Sequence, residues 1–143
     1  DLSRVSELGS VEVTELFGVE HYATVHQLVS TVESTLTAAS SLVDLLRATL
    51  PPGSMTGAPK HSAMRAIDRI EAGPRGVFSG VFGLFSIDGT VDLAVVIRSI
   101  VISPDSASIG AGGGITALSV AEEEYDETML KARNMLWALG VAS

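Results

Sequence analysis

Ile109 to Lys131, IGAGGGITALSVAEEEYDETMLK, runs a glycine-rich bend straight into an acidic helix and marks where strand-forming sequence ends. Gly110, Gly112, Gly113 and Gly114 free the backbone for positive φ and let a ligand reach the amides without meeting a Cβ. Such a bend suits an anion. Ser119, followed three residues later by Glu122, has the form of a capping box. It predicts a helix from Val120 to Leu139, with Val120, Ala121, Tyr125, Ala132, Leu136 and Leu139 available for burial. Glu124 and Glu127 share another part of that surface and Lys131 lies one turn beyond Glu127, so two carboxylates and a cation are expected to face the bend. Two readings stand side by side: an acidic first turn that complements the helix dipole after a wide turn, or a functional site. A dinucleotide fingerprint does not fit, because the G-x-G-x-x-G begun at Gly110 ends in Ile115 and the helix starts too late to receive a pyrophosphate.

Upstream of the bend the pattern is that of strands. Val77 to Ile87 and Val91 to Ser103 are apolar and β-branched, and Asp88-Gly89 between them signals a tight hairpin turn. Pro104 to Ser106 predicts the next turn, and Ala107 to Ala111 a third strand leading into the glycines. An antiparallel sheet packed with helices, the long one across a sheet face, makes the expected class α+β. Arg98 is the only charge between Leu93 and Ser103. A guanidinium in such a strand either snorkels to an edge or holds an anion with its fork of donors. Asp92 reads as a turn-end or structural carboxylate.

Farther upstream, Pro51 to Lys60, PPGSMTGAPK, is a turn-rich loop, and Pro59 at the first helical position opens a predicted helix through Ala63, Met64, Ile67 and Ile70. A Walker-type phosphate loop is excluded, since Gly53 and Gly57 are too close and Lys60 does not follow a glycine. The Thr56 hydroxyl fits two roles, capping before Pro59 or facing a substrate. Ala38 to Leu50 reads as a helix ended by Pro51. His21 to Val32, HYATVHQLVSTV, alternates as a strand that puts Tyr22, Thr24, His26, Leu28 and Ser30 on one face. A histidine in such a strand reads, by itself, as a hydrogen-bonded structural residue. Val11, Val13, Leu16 and Phe17 suggest a short strand and loop after a turn at Gly9.

The 143 residues suffice for one domain with a real core. Hydrophobic residues reach 46% against 18% charged, and mean hydropathy is +0.38, more apolar surface than a small solitary domain hides. A missing partner surface is expected. With no run of about 20 apolar residues and no charged-then-apolar leader, neither a membrane span nor a signal peptide is expected. Nine basic against 17 acidic residues give a formal charge of -8, which disfavours nucleic acid and anionic membranes and leaves any anionic substrate to local cations. The absence of cysteine excludes disulfides, thiol catalysis and zinc-thiolate sites and suits a reducing cytoplasm.

Segments spread from Asp1 to Lys131 resemble, in order, signatures of the chorismate-utilising enzymes. That family contains anthranilate synthase component I, aminodeoxychorismate synthase component I, and the isochorismate and salicylate synthases. Asp1-Leu2 with Arg4-Val5 is similar to the tail of an acidic, catalytically important stretch, and Thr24 to Val32 to a His-x-Leu-Val-Ser segment. Gly53 to Lys60 matches a second signature, Ile97-Arg98-Ser99 is similar to an Ile-Arg-Thr, and the glycine bend with its helix resembles the C-terminal one. The resemblance implies the C-terminal part of an α/β sandwich of two large antiparallel sheets, so that residues 1–143 form the C-terminal portion of a single chorismate-binding domain.

The resemblance also implies magnesium-dependent chemistry on chorismate. Glu124 and Glu127 would be metal carboxylates, Gly112 and Gly114 carboxylate-binding backbone, and Arg98 and Lys131 cationic anchors, with His26 and Thr56 catalytic beside the ring; His21 and His61 gain no role. Chorismate loses a C4 hydroxyl, a poor leaving group that needs acid or metal assistance. Phe78 stands where the family's Arg-Gly-x-Tyr aims a hydroxyl at a substrate carboxylate, so the substrate contact there changes. Gly53-Ser54-Met55-Thr56 and the short hairpin at Asp88 look more like aminodeoxychorismate synthase. That implies amination with ammonia from a glutamine amidotransferase subunit, in the folate pathway; anthranilate synthase, of the tryptophan pathway, is the alternative. The family's catalytic lysine and another metal glutamate belong upstream of Asp1. A missing N-terminal half and inactivity of this piece alone are therefore expected, and the apolar composition, with a sheet lacking its covering elements, leads to an expectation of self-association. A reading from another class is a non-catalytic association module that binds neither magnesium nor chorismate.

Overall fold

A computed structural model describes residues 1–23 and 26–141, which fall into two compact units, Asp1–Leu50 and Pro51–Ser143. In the first, β-branched and aromatic residues build an antiparallel hairpin of β1 (Glu12–His21) and β2 (His26–Glu33), in register from Glu12 opposite Glu33 to His21 opposite His26. The single strand expected over His21 to Val32 thus takes in the last residue of one strand and all but the last residue of the next; Thr24 and Val25, placed within it by alternation, lie outside the described residues. β1 is longer than the short strand expected from Val11 to Phe17. Its register slips on either side of Glu15, and Phe17, at φ 54°, turns its N–H to the Ser30 hydroxyl at 3.1 Å, a bulge that bends the strand. Helix α1 (Leu42–Thr49) starts later than Ala38 because Ser41 and Asp44 form a capping box. The Ser41 hydroxyl and N–H hold the Asp44 carboxyl below its usual range. Among the described residues of this unit, Val5 and Ala48 are the buried apolar ones.

The second unit contains α2 (Gly53–Thr56), α3 (Lys60–Ile70), β3 (Val81–Phe85), β4 (Val91–Val95), β5 (Ile100–Ser103), β6 (Ser106–Ile109) and α4 (Ala121–Ala138). The hairpin turn falls where Asp88-Gly89 placed it: Gly89 takes φ 90° and the Thr90 N–H donates to Asp88 Oδ1 at 2.9 Å. Other boundaries move. Val77 to Gly80 form a turn before β3, and α2 lies within the expected loop. Pro59 precedes α3 as its cap residue and is not its first helical residue. The long apolar run breaks at Val96 to Ser99, where Arg98 takes φ 48°, so Arg98 sits on a bend and not inside a strand.

The α+β class holds, with the strands arranged as three separate two-stranded antiparallel ladders, β1-β2, β3-β4 and β5-β6. The described residues do not by themselves assemble the two large sheets that the resemblance implies. Two-stranded ladders are marginal in water. Their apolar side chains lie open, Phe82 at 79% and Ile102 at 76% exposure. Helix α4 buries Ala132, as expected, and Met135, whereas Val120 and Tyr125 are exposed.

Candidate functional site

The glycine bend and helix α4 meet as expected, though for different physical reasons. None of the glycines at 110, 112, 113 and 114 takes a positive φ; in this unit the left-handed glycines are Gly57, Gly76, Gly89 and Gly140. Close approach explains two of the four. A Cβ on Gly110 would overlap the Phe78 ring, and one on Gly113 would lie 3.0 Å from Glu124 Oε2. At Gly112 and Gly114 a Cβ would meet nothing within 4 Å, so packing within this chain does not demand glycine there. The N–H groups of Gly112, Gly113 and Gly114 have no hydrogen-bond partner among the described residues, which leaves three consecutive backbone donors unused.

On the helix, Glu124, Thr128 and Lys131 lie at helical spacing toward the bend, with Thr128 Oγ1 at 3.9 Å and Lys131 Nζ at 4.0 Å from the Cβ position of Gly113. Lys131 Nζ pairs with Glu127 Oε1 at 2.5 Å and donates to the Gly112 carbonyl at 3.3 Å, so one ammonium links the second carboxylate to the bend. That cation holds the Glu127 carboxyl below the usual carboxylate range. The capping box predicted from Ser119 and Glu122 does not form. Val120 is the cap residue, without a side-chain bond, and the Ser119 hydroxyl donates to Glu124 Oε1 at 2.5 Å while accepting the Thr116 N–H at 3.0 Å. Ser119 therefore orients a site carboxylate. Neither it nor Thr128 stands out as a site residue in the sequence, although Thr128 lies one helical turn beyond Glu124.

These residues offer hard oxygen donors. No group of three or more His, Cys, Asp or Glu among the described residues is gathered to hold a metal. Two carboxylates nevertheless fit magnesium, which keeps several waters and is bound through one or two carboxylates plus substrate oxygens. Glu124, already oriented by Ser119, and Glu127, kept ionised by Lys131, would be its protein ligands.

Thr56, Phe78 and Arg98 belong to the same unit. Thr56 ends α2 and its hydroxyl donates to the Pro52 carbonyl at 3.1 Å, so it satisfies its own turn and does not cap α3. Phe78 is half-buried in the turn before β3, against Gly110, with the Arg75 guanidinium 6.0 Å from its ring centre. Arg98 is exposed and has no hydrogen bond or ion pair among the described residues. In the first unit, His26 lies opposite His21, with their Nδ1 atoms 2.8 Å apart and their rings edge to face. One of the two nitrogens must donate to the other, so each histidine fixes the other's tautomer. His21, which the sequence reading set aside, is thereby tied to His26.

The family described as chorismate binding enzyme matches residues 1–137. The aminodeoxychorismate synthase of Streptomyces pristinaespiralis is 53% identical over 139 residues, covering 97% of this chain and 19% of that protein. Anthranilate synthase component 1 of Pseudomonas aeruginosa is 43% identical over 142 residues, covering 99% of this chain and 29% of that protein. The crystal structure of anthranilate synthase component I from Streptococcus pneumoniae TIGR4 has the same fold, with a TM-score of 0.82 at 42% identity over 93% of this chain and 31% of that one. The chain thus spans less than a third of the length of each of these relatives.

Proposed function

The chain belongs to the family of chorismate binding enzymes, and on that premise we propose that it supplies part of the substrate and magnesium site of an aminodeoxychorismate synthase. The observation that carries this reading is that Gly113 lies against Glu124 and Lys131, and that Lys131 also joins the Gly112 carbonyl to Glu127, in a bend whose glycine amides have no partner among the described residues. Backbone N–H donors beside an ammonium suit a substrate carboxylate, and paired glutamates suit a hard divalent ion. When bound at Glu124 and Glu127, magnesium would supply a Lewis acid for a chorismate oxygen. Gly112 and Gly114 would grip a carboxylate through their N–H groups. Arg98, on its exposed bend, brings a free fork of donors for another. Thr56 is proposed beside the ring, where a hydroxyl can hold or move the proton that a C4 leaving group requires.

Amination is favoured over anthranilate formation by degree of similarity: two Streptomyces aminodeoxychorismate synthases are 53% and 52% identical to this chain, against 43% for two Pseudomonas anthranilate synthases. The ammonia is assigned to a glutamine amidotransferase subunit. The open ladders and the small share of each relative that the chain covers support a domain whose remaining strands come from elsewhere in the full-length protein. We place the enzyme in the cytoplasm, the reducing compartment that a cysteine-free sequence suits; separately, no helix among the described residues is long and apolar enough to cross a membrane.

The test is turnover by the full-length protein supplied with chorismate, magnesium and ammonium, with products separated chromatographically. Magnesium-dependent aminodeoxychorismate is expected. Anthranilate as the product would assign the tryptophan branch instead. Calorimetric titrations showing no binding of magnesium or chorismate would leave only an association module.

A further inference from the structure

Arg75 commits its guanidinium to three separate segments of the second unit. Nε donates to Glu71 Oε1 and Oε2 at 3.1 and 2.9 Å, and Nη2 donates to Oε1 at 2.6 Å. Nη1 donates to the Met55 carbonyl at 2.7 Å and to the Ser79 hydroxyl at 3.0 Å. The Glu71 pair pushes the arginine pKa up and holds the glutamate below its usual range, so both stay charged.

The two Nη1 bonds end next to residues of the proposed site. Met55 precedes Thr56 in α2, a single turn of four residues without a side-chain cap, too short to hold its shape by itself. Ser79 follows Phe78. It is 3% exposed and takes φ 69°, a conformation that persists in a non-glycine residue only when its surroundings fix it. From Ser79 the backbone continues the connection: its N–H donates to the Val96 carbonyl at 3.0 Å, and the Val96 N–H returns to Gly80 at 2.8 Å, two residues before the Arg98 bend.

We propose that Arg75 is a positioning residue for chorismate conversion, its guanidinium holding the Met55 carbonyl and the Ser79 hydroxyl so that Thr56, Phe78 and Arg98 keep fixed relative places. The inference rests on the functional reading above. Arg75 is not the substrate's cation, because its donors are occupied by protein acceptors, whereas Arg98 has none among the described residues. A lysine carries the charge but not the planar fork, and cannot reach Glu71, Met55 and Ser79 together.

Arg75→Lys and Ser79→Ala in the full-length protein test this through kinetics, melting temperature and amide exchange. Arg75→Lys is expected to lower kcat/KM on the order of 100-fold, the scale of a small misplacement of reacting groups. Ser79→Ala, which removes one arm, should lower it about tenfold. Added guanidinium should restore part of the activity of Arg75→Ala and none to Ser79→Ala. The Gly57 and Ser79 amides, bonded to the Gly53 and Val96 carbonyls, should exchange faster in Arg75→Lys. Unchanged kcat and KM with only a lower melting temperature would overturn the proposal and make Arg75 merely structural. If Arg75→Lys does not fold, Ser79→Ala decides: unchanged kinetics and unchanged exchange at Gly57 overturn the clamp. Exchange does not depend on which substrate the site takes, so a wild type inactive on chorismate overturns the functional reading and is told apart from a failed clamp.

Discussion

Gly110→Ala measures how closely the Phe78 turn is packed on the glycine bend. Gly110 does not have a left-handed φ, so alanine there should stabilise by roughly 0.4 to 1 kcal/mol through the unfolded chain alone. Against this, the new Cβ would overlap the Phe78 ring, which must move or push back the backbone, an overpacking cost of about 1 to 3 kcal/mol. The steric effect wins, leaving a net loss of up to about 2.5 kcal/mol. Removing the ring reverses the sign: in a Phe78→Ala background, Gly110→Ala should be neutral or stabilising. Urea midpoints of the four full-length proteins give the cycle, with an expected coupling of about 1 to 3 kcal/mol. An equal cost of Gly110→Ala in both backgrounds would show that the ring does not lie on the bend, and would detach Phe78 from the site.

Glu124→Gln and Glu127→Gln should each abolish magnesium binding in calorimetric titrations with little change in melting temperature; metal affinity retained in both would return these residues to a helix-dipole role. Lys131→Met should remove the cation that depresses the Glu127 pKa. With a depressed folded pKa, the pair's stabilisation is present above the ordinary glutamate value of 4.5 and is lost as pH falls through the folded value. The melting temperature of wild type should therefore decline more steeply than that of the variant between about pH 5 and 3, and parallel curves would refute the pairing. Phe78→Tyr is expected to tighten chorismate binding about tenfold through a hydrogen bond to a charged carboxylate; weaker binding with a lower melting temperature would mean that this pocket has repacked around phenylalanine.

What was legible in the sequence is what short-range chemistry decides. The Asp88-Gly89 turn and the acidic helix needed only their own residues, and so did the adjacency of Glu124, Glu127 and Lys131 on one helix. Long-range demands left no such mark. Glycine at 110 answers to Phe78, far away in sequence, and glycine at 113 to Glu124, while the composition of the bend suggested only backbone freedom. The bend at Arg98 was invisible because arginine carries no signal for positive φ. The sequence between His21 and His26 has no glycine, proline or asparagine, so alternation runs through it as one strand. Ser119 was read as a cap because the spacing to Glu122 fits; only geometry shows that its hydroxyl reaches Glu124.

The same geometry sorts three cations of the second unit, Arg75, Lys131 and Arg98, by what they can still do. The chain carries a formal charge of -8, so a substrate with two carboxylates is repelled by the whole and must be held by particular groups. Arg75 is enclosed by Glu71, Met55 and Ser79, and a guanidinium so satisfied adds rigidity but little net positive field. Lys131 is half committed: Glu127 cancels its charge, yet if a divalent ion takes that carboxylate, the ammonium is left beside the Gly112 carbonyl and the open amides. Arg98 is uncommitted, held by a strained backbone on an exposed bend that the Val96 hydrogen bonds anchor. Metal binding at Glu127 would thus increase the positive charge available to a carboxylate at the moment the ion arrives. Magnesium and substrate should accordingly bind with positive coupling, and that coupling should shrink in Lys131→Met while persisting in Arg75→Lys.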